Sequence, residues 1–301
     1  LLPRRRQRKK PIMAILVNPD LRLLVQGITG HEGSFHTERM IAYGTRIVAG
    51  VSPGKGGQWE HGKPVFDTVK IALEATEANA TIIFVPPDAV ADAVFEAVDA
   101  GLKLIVCITE GTPVLDVMRA CDYANHNNCR LIGPNSPGIL VPGLANIGIY
   151  PAGIDTPGNV GVVSRSGAMT YEVVYTLSEH NMGQTTCVGI GGDPVIGTSF
   201  VEILELFEND PSTERIVILG EIGGNTEIDA AEFIKHRMTK PIVAFIAGKS
   251  APEGTRMGHA GAIVSGADES AAAKKKVMRE CGIHVVDSPA TIGAKVKEVL
   301  G

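Results

Sequence analysis

Apolar residues in this chain come in short unbroken runs instead of alternating with polar ones. Five such runs, at 23–26, 47–51, 81–85, 104–108 and 130–132, lie in the first half. Five more, at 160–164, 186–190, 216–219, 242–247 and 285–286, lie in the second. Continuous runs of this length are what strands covered on both faces require. Between them stand stretches with helical spacing, such as 88–100, 200–207, 227–238 and 269–281. Strand and helix alternate on both sides of a Pro/Gly-rich passage, "GPNSPGILVPG". The pattern predicts two doubly wound α/β domains, one over 13–142 and one over 159–301, joined by a linker at 143–158.

In open parallel sheets ligands bind beyond the carboxyl ends of the strands, so the residues after each run carry the chemistry. In the first half these are "GITGHEG", "SPGKGG", "TEG" and "GPNSPG"; in the second, "SRSG", "GGD", "GEIGG" and "GHAGA". The first turn, "VQGITGHEG", spaces Gly27, Gly30 and Gly33 for a tight bend and for backbone N–H groups that face a phosphate. A nicotinamide-binding turn would be followed about 20 residues later by an acid for the ribose hydroxyls. Here the second run ends in "VAGVSPGKGG", with Ser52 and Lys55 and no acid, which suits a ligand with an additional phosphate. A second candidate, "AGKS" at 247–250, lacks the leading glycine of a P-loop: position 243 is valine.

Composition narrows the class. Hydrophobic residues at 44% and charged residues at 20% are those of a globular enzyme. No apolar run approaches the roughly 18 residues of a membrane span. Cys107, Cys121, Cys129, Cys187 and Cys281 form no CxxC pair or metal spacing, which points to a reducing compartment, the cytoplasm. The net charge of −5 hides a basic segment, "LLPRRRQRKKPI", that precedes the first methionine, Met13. Residues 1–12 read as a tag or a leader, and a leader remnant would place the protein in the mitochondrial matrix. Without the six basic residues of that segment the charge is −11, a body that repels nucleic acid.

"GITGHEGSFH", "GVSPGKGG", "ITEGTP", "GPNSPG", "VSRSGAMTYE", "GIGGDPVIGTSF", "GEIGG" and "RMGHAGAI" occur in this order. From Met13 to the C-terminus the chain resembles the α subunits of succinyl-CoA synthetases. The resemblance implies a Rossmann-like coenzyme A-binding domain followed by a flavodoxin-like ligase domain. It implies that Thr29, Gly30, His31 and Glu32 form the CoA-binding turn, with Lys55 and the segment Ile108, Thr109 and Glu110 beside the same ligand. Tyr171 matches a residue that contacts substrate. His259 matches a histidine phosphorylated during turnover, and Glu221 the carboxylate that holds its ring. The partner implied is an ATP-grasp β subunit that binds NTP and Mg²⁺; no metal site is expected on this chain. The acid activated is a small carboxylic acid, succinate first.

Three departures from the family pattern stand out; the first costs no assigned chemistry, and the other two bear on the acid. Ser136 stands where the family often has cysteine, "SGAMTYE" replaces the more usual "SGTLTYE", and "SGADESAAAKKKVMREC" replaces a Gly-Lys-Gly stretch. The last is closer to malate–CoA ligases and citrate-activating relatives, which are the same-class alternatives. A CoA-sensing module without catalysis is the different-class alternative.

The residue chemistry stands beside the resemblance. A lone histidine among Gly258, Ala260, Gly261 and Ala262 is by itself as readily a loop residue bonded to a carbonyl. Paired with a carboxylate on one ring nitrogen, a neutral imidazole becomes a nucleophile at the other. Ser166 and Gly167, opening a helix, then offer N–H donors and the positive dipole end to a phosphoryl group.

Overall fold

The computed structural model describes residues 14–252 and 254–299, so the basic segment 1–12 lies outside the described residues. The first sheet contains β1 (Leu23–Gln26), β2 (Ile47–Val51), β3 (Trp59–Glu60), β4 (Lys63–Phe66), β5 (Ala80–Ile83), β6 (Leu104–Cys107) and β7 (Arg130–Ile132). Its spatial order is β3-β4-β2-β1-β5-β6-β7, parallel throughout except for the short β3 edge. Leaving out β3, this is the 3-2-1-4-5-6 order of dinucleotide-binding folds. From β1 the chain crosses through α1 (His31–Tyr43) to β2, and later returns through α2 (Val69–Thr76) to β5 on the other side. The carboxyl end of β1 is therefore a switch point, and the glycine turn sits on it.

The second sheet contains β8 (Gly138–Val141), β9 (Ala145–Gly148), β10 (Pro157–Ser164), β11 (Gln184–Gly189), β12 (Arg215–Gly220), β13 (Ile242–Ile246) and β14 (His284–Val286). The order is β14-β13-β12-β10-β11-β8-β9. Its parallel part, counted from β10, runs 2-1-3-4-5, the flavodoxin order, with its switch point at the end of β10. The two sheets and the helices around them bear out the expected pair of α/β domains.

The joint between them differs from the sequence expectation. Residues 143–158 are not a linker: β8 pairs antiparallel with β11, through Cys187 with Leu140 and Val188 with Ile139, and β9 completes the hairpin. The Pro142-Gly143 pair turns the hairpin, and all eight residues of the two strands are buried. The first sheet ends at Ile132 and the second begins at Gly138. Hydrogen bonds then tie the halves: Thr45 Oγ1 donates to the Asn146 carbonyl at 2.8 Å, and Tyr43 donates to Asp155 at 2.6 Å. One cluster of buried apolar side chains runs from Leu23, Val25 and Val106 through Ile139 to Val163, Val188 and Ile218. Loss of that shared burial, at about 25 cal/mol per Å², opposes separation of the domains.

Four further helices follow strands directly: α3 (Val90–Asp99), α4 (Val114–His126), α5 (Gly167–Glu179) and α6 (Phe200–Asn209). α7 (Thr226–Arg237), α8 (Ala271–Glu280) and α9 (Ile292–Glu298) complete the second domain. Among the described residues no helix is long and apolar enough to cross a membrane.

Candidate active site at the strand ends

Three neighbouring strands, β11, β10 and β12, end side by side, and each is followed by a residue that faces His259. After β10 comes Arg165, after β11 come Gly192 and Asp193, and after β12 comes Glu221. The histidine itself lies on the long loop between β13 and α8 and is folded back over these ends. Main-chain bonds hold it there: Gly261 N–H donates to Gly192 O at 3.2 Å, and Ala262 N–H to His259 O at 3.1 Å.

Glu221 Oε2 lies 2.7 Å from His259 Nδ1. An ionised carboxylate only accepts, so the proton of the neutral ring sits on Nδ1 and Nε2 keeps its lone pair. The carboxylate is buried, while 27% of the imidazole remains exposed. That combination supports a nucleophile: the holding group is dry and the attacking edge is reachable. The Glu221 bond raises the imidazole pKa above its usual value, burial opposes it, and the charges of Glu221, Arg165 and Glu110 add smaller effects. Arg165 Nε is 3.4 Å from Glu221 Oε1 but aims its hydrogen bonds at Gly191 O and Asp193 O. Among the described residues Glu221 Oε1 has no hydrogen-bond partner, so the arginine supplies charge there and not alignment.

The small residues have a measurable cause. A Cβ built on Gly192 would lie 2.5 Å from His259 Cγ and 2.6 Å from Nδ1, so the ring rests on bare backbone. A Cβ on Gly261 would meet the Arg165 guanidinium at 2.8 Å. Asp193, bonded to Asn135 Nδ2 at 3.0 Å, is held above the usual carboxylate range mainly by burial.

Ser166 and Gly167 open α5 next to Arg165, but they divide their roles. The Ser166 hydroxyl caps its own helix on Met169 N–H, and its N–H is taken by Ser164 Oγ at 3.0 Å. Ser166 is therefore committed, contrary to the expectation that it offers an N–H; among the described residues Gly167 N–H has no acceptor. Tyr171 extends over this helix start: its hydroxyl lies near the position of a Gly167 Cβ, at 3.3 Å, and 3.4 Å from Ile149 O. Burial pushes that hydroxyl up to about 12, so it stays a donor.

The first-domain residues form a separate surface. A cleft of about 450 Å³ runs past Gly27, Thr29, Gly30, Ser52 and Pro53. A second, of about 460 Å³, is lined by His31, Glu32, His36, Ile108, Thr109 and Glu110, and the two share Gly30, Phe84, Val85 and Pro86. Gly30 caps α1 without a side chain, so the first N–H groups of that helix remain open. Gly27, at φ 83°, places its Cα where a Cβ would press on the Phe84 backbone at 3.0 Å. Thr29 donates to Ser52 Oγ at 3.0 Å, and the Thr109 hydroxyl to Val85 O at 2.7 Å, so both help to fix the cleft walls. His31 is exposed and pairs with Glu32 at 3.0 Å. Lys55 is exposed beside Ser52 and lines neither cleft. Glu110 lines the second cleft.

The sequence reading passed over Arg165, Asp193 and His36. His36 stacks on Phe84 at 5.6 Å between ring centroids, and burial lowers its pKa. The position of Arg165 immediately after a strand, inside "SRSG", was an available signal; His36 carried none. Ser136, where the family often has cysteine, is buried and bonded to Gly189 O and Gly138 N–H.

Comparison with known proteins agrees with this division. A CoA binding domain model matches residues 18–111 and a CoA-ligase model residues 163–283. The α subunit of succinate–CoA ligase [ADP-forming] from Aquifex aeolicus is 52% identical over 290 residues, covering 96% of this chain and 95% of that one. An α subunit of the same name from Archaeoglobus fulgidus is 53% identical over 288 residues, covering 96% of this chain and all of the other. Among solved structures, ATP citrate lyase from Methanothrix soehngenii in complex with citrate and coenzyme A superposes with a TM-score of 0.86 at 27% identity. That match covers 95% of this chain, which spans about half the length of the lyase chain. At about half identity over nearly the full length, this chain belongs to the family of succinate–CoA ligase α subunits.

Proposed function

We propose that this chain is the small subunit of a nucleotide-dependent ligase that joins succinate to coenzyme A, with His259 as the carrier of phosphoryl groups. The observation that carries the reading is the 2.7 Å contact between a buried carboxylate and one nitrogen of a partly exposed imidazole. Nε2 attacks the γ-phosphorus of an NTP, the bond to NDP breaks, and His259 holds the phosphoryl group. Gly167 N–H and the start of α5 favour its negative charge. A succinate oxygen then takes the phosphoryl group from Nε2. The CoA thiolate attacks the resulting acyl carbon, inorganic phosphate departs, and the thiol proton leaves with phosphate or solvent.

Coenzyme A fits the first domain because the uncapped turn of α1 and the adjoining clefts provide backbone donors and room for a long ligand. Thr29, Gly30, His31, Glu32 and the segment Ile108, Thr109 and Glu110 line its path, and Lys55 adds a positive charge at the rim. Tyr171 is the residue of this chain that reaches the acid. The nucleotide, with the Mg²⁺ that neutralises its phosphates, belongs to an ATP-grasp β subunit, and a cytoplasmic location suits five buried free thiols. Relatives named for succinate at about 50% identity outweigh the citrate-bound neighbour at 27%, so succinate leads over malate and citrate.

The test is incubation of the chain, co-expressed with its β subunit, with γ-labelled NTP, followed by turnover assays on succinate, malate and citrate. Acid-labile, base-stable label on His259 and turnover on succinate are expected. Absence of succinate turnover overturns the substrate, and absence of label overturns the carrier.

A further inference from the structure

The second domain buries an ion pair completely. Lys274 of α8 and Glu227 of α7 have no exposed side-chain surface, and Lys274 Nζ lies 2.5 Å from Glu227 Oε2. The other two ammonium protons go to main-chain carbonyls, Glu221 O at 2.9 Å and Gly223 O at 2.6 Å. Glu227 Oε1 in turn accepts the Glu221 N–H at 3.1 Å. Both main-chain polar groups of Glu221 are thus held by one pair of side chains. The fit is close: a Cβ on Gly220 would meet Glu227 Cγ at 2.6 Å.

Stability alone does not explain this pair, because a buried ion pair is often no better than an apolar one of the same volume. An apolar pair, however, has nothing to offer the two carbonyls and the N–H of the segment 221–223. The turn before α8 adds to the clamp. Glu269 accepts Gly223 N–H on its carbonyl at 3.0 Å and Ser265 N–H on its carboxylate at 2.7 Å. The loop of Glu221 and the loop of His259 therefore hang from one short segment, 269–274, which begins at the last two residues of "SGADES".

We propose that Lys274 and Glu227 are positioning residues that set the Glu221 carboxylate against His259. This rests on the phosphoryl-carrier reading above. Neither touches the imidazole; they act through the backbone of Glu221. Misplacement of a functional group by about 1 Å can cost about 10²-fold in rate, so a small shift of the Glu221 backbone reaches phosphoryl transfer.

The experiment uses the full chain assembled with its β subunit. Two variants are compared with wild type, Lys274→Met with Glu227→Leu as a double, and Glu227→Gln alone. The readouts are the rate of His259 labelling from γ-labelled NTP across pH, coenzyme A binding, and Tm. The double variant should label about tenfold to hundredfold more slowly. Its pH of half-maximal labelling should move down, because a displaced Glu221 no longer favours the protonated ring. Glu227→Gln should show a smaller change in the same direction. Coenzyme A binding should stay near wild type in both, while Tm falls, because the double variant leaves two carbonyls and an N–H unpaired and Glu227→Gln leaves the Lys274 ammonium without its counter-charge. Wild-type labelling rate and pH profile in either folded variant overturns the proposal. So does failure of both variants to fold, which assigns the pair to stability. Failure of the wild-type assembly to label overturns instead the reading on which it rests.

Discussion

The two helix starts at the switch points of the two sheets make a natural contrast. At α1 the cap is Gly30, without a side chain, and the clefts beside it are open. At α5 the cap is Ser166, already bonded to its own helix, and the surrounding charges are paired or buried. The first arrangement suits a ligand that arrives, is held by backbone donors and leaves. The second suits a group that must be at one place before the reaction begins, since preorganised partners need no rearrangement during transfer. On the proposed reading one fold plan serves capture in one domain and chemistry in the other, and the difference lies in what fills the strand ends.

Substitution in the second domain should break the contrast most sharply. His259→Asn should remove phosphoryl labelling by roughly 10⁴-fold or more while coenzyme A binding stays within error; labelling and calorimetric titration on the same assembly check both. Glu221→Gln should slow labelling by about 10²–10⁴-fold, because the ring loses its fixed tautomer.

The same variant reports on pH. The Glu221 bond raises the His259 pKa in the folded state. Protonation of the pair therefore adds stability that is complete below the ordinary imidazole pKa, about 6.5, and is lost as pH rises through the raised value. Labelling, which needs the neutral ring, rises over that second interval. In Glu221→Gln the rise should begin at lower pH, and an unchanged profile would remove the carboxylate from the account. Gly192→Ala, which places a methyl group 2.5 Å from the ring, should cost about 10²-fold in labelling.

In the first domain the expected effects are smaller, as contacts spread over a large ligand should be. Gly27→Ala, strained by φ 83° and by the Phe84 backbone, should weaken coenzyme A binding roughly tenfold, about 1.4 kcal/mol. Lys55→Ala should weaken it about threefold at low salt, since an exposed charge contact is worth at most about 1 kcal/mol and is screened by salt. A large loss at Lys55 with no effect at Gly27 would reverse the picture of a backbone-built cradle.

Much of this was legible along the chain, for reasons of periodicity and distance. Unbroken apolar runs marked the parallel strands, because a strand buried on both faces has no polar side to show. The glycine turn after β1 and the histidine among small residues were legible because each demand, a positive φ or a bare backbone, falls on a named position. The sequence places β8 in the first domain and β9 in the linker, because Pro-Gly signals a turn without saying whether the flanking strands pair with anything.

What the sequence by itself determined is the list of parts: two alternating α/β units, a glycine turn after the first strand, an acid and a histidine among small residues. Which parts meet was decided only in three dimensions. His259 is 38 residues from Glu221, and Lys274 is 53. Arg165, Gly192 and Glu221 become neighbours because β10, β11 and β12 lie side by side and end together. Strand order is set by non-local pairing and crossover direction, which local residue patterns do not encode, and so the charge relations around the imidazole belong to the tertiary structure alone.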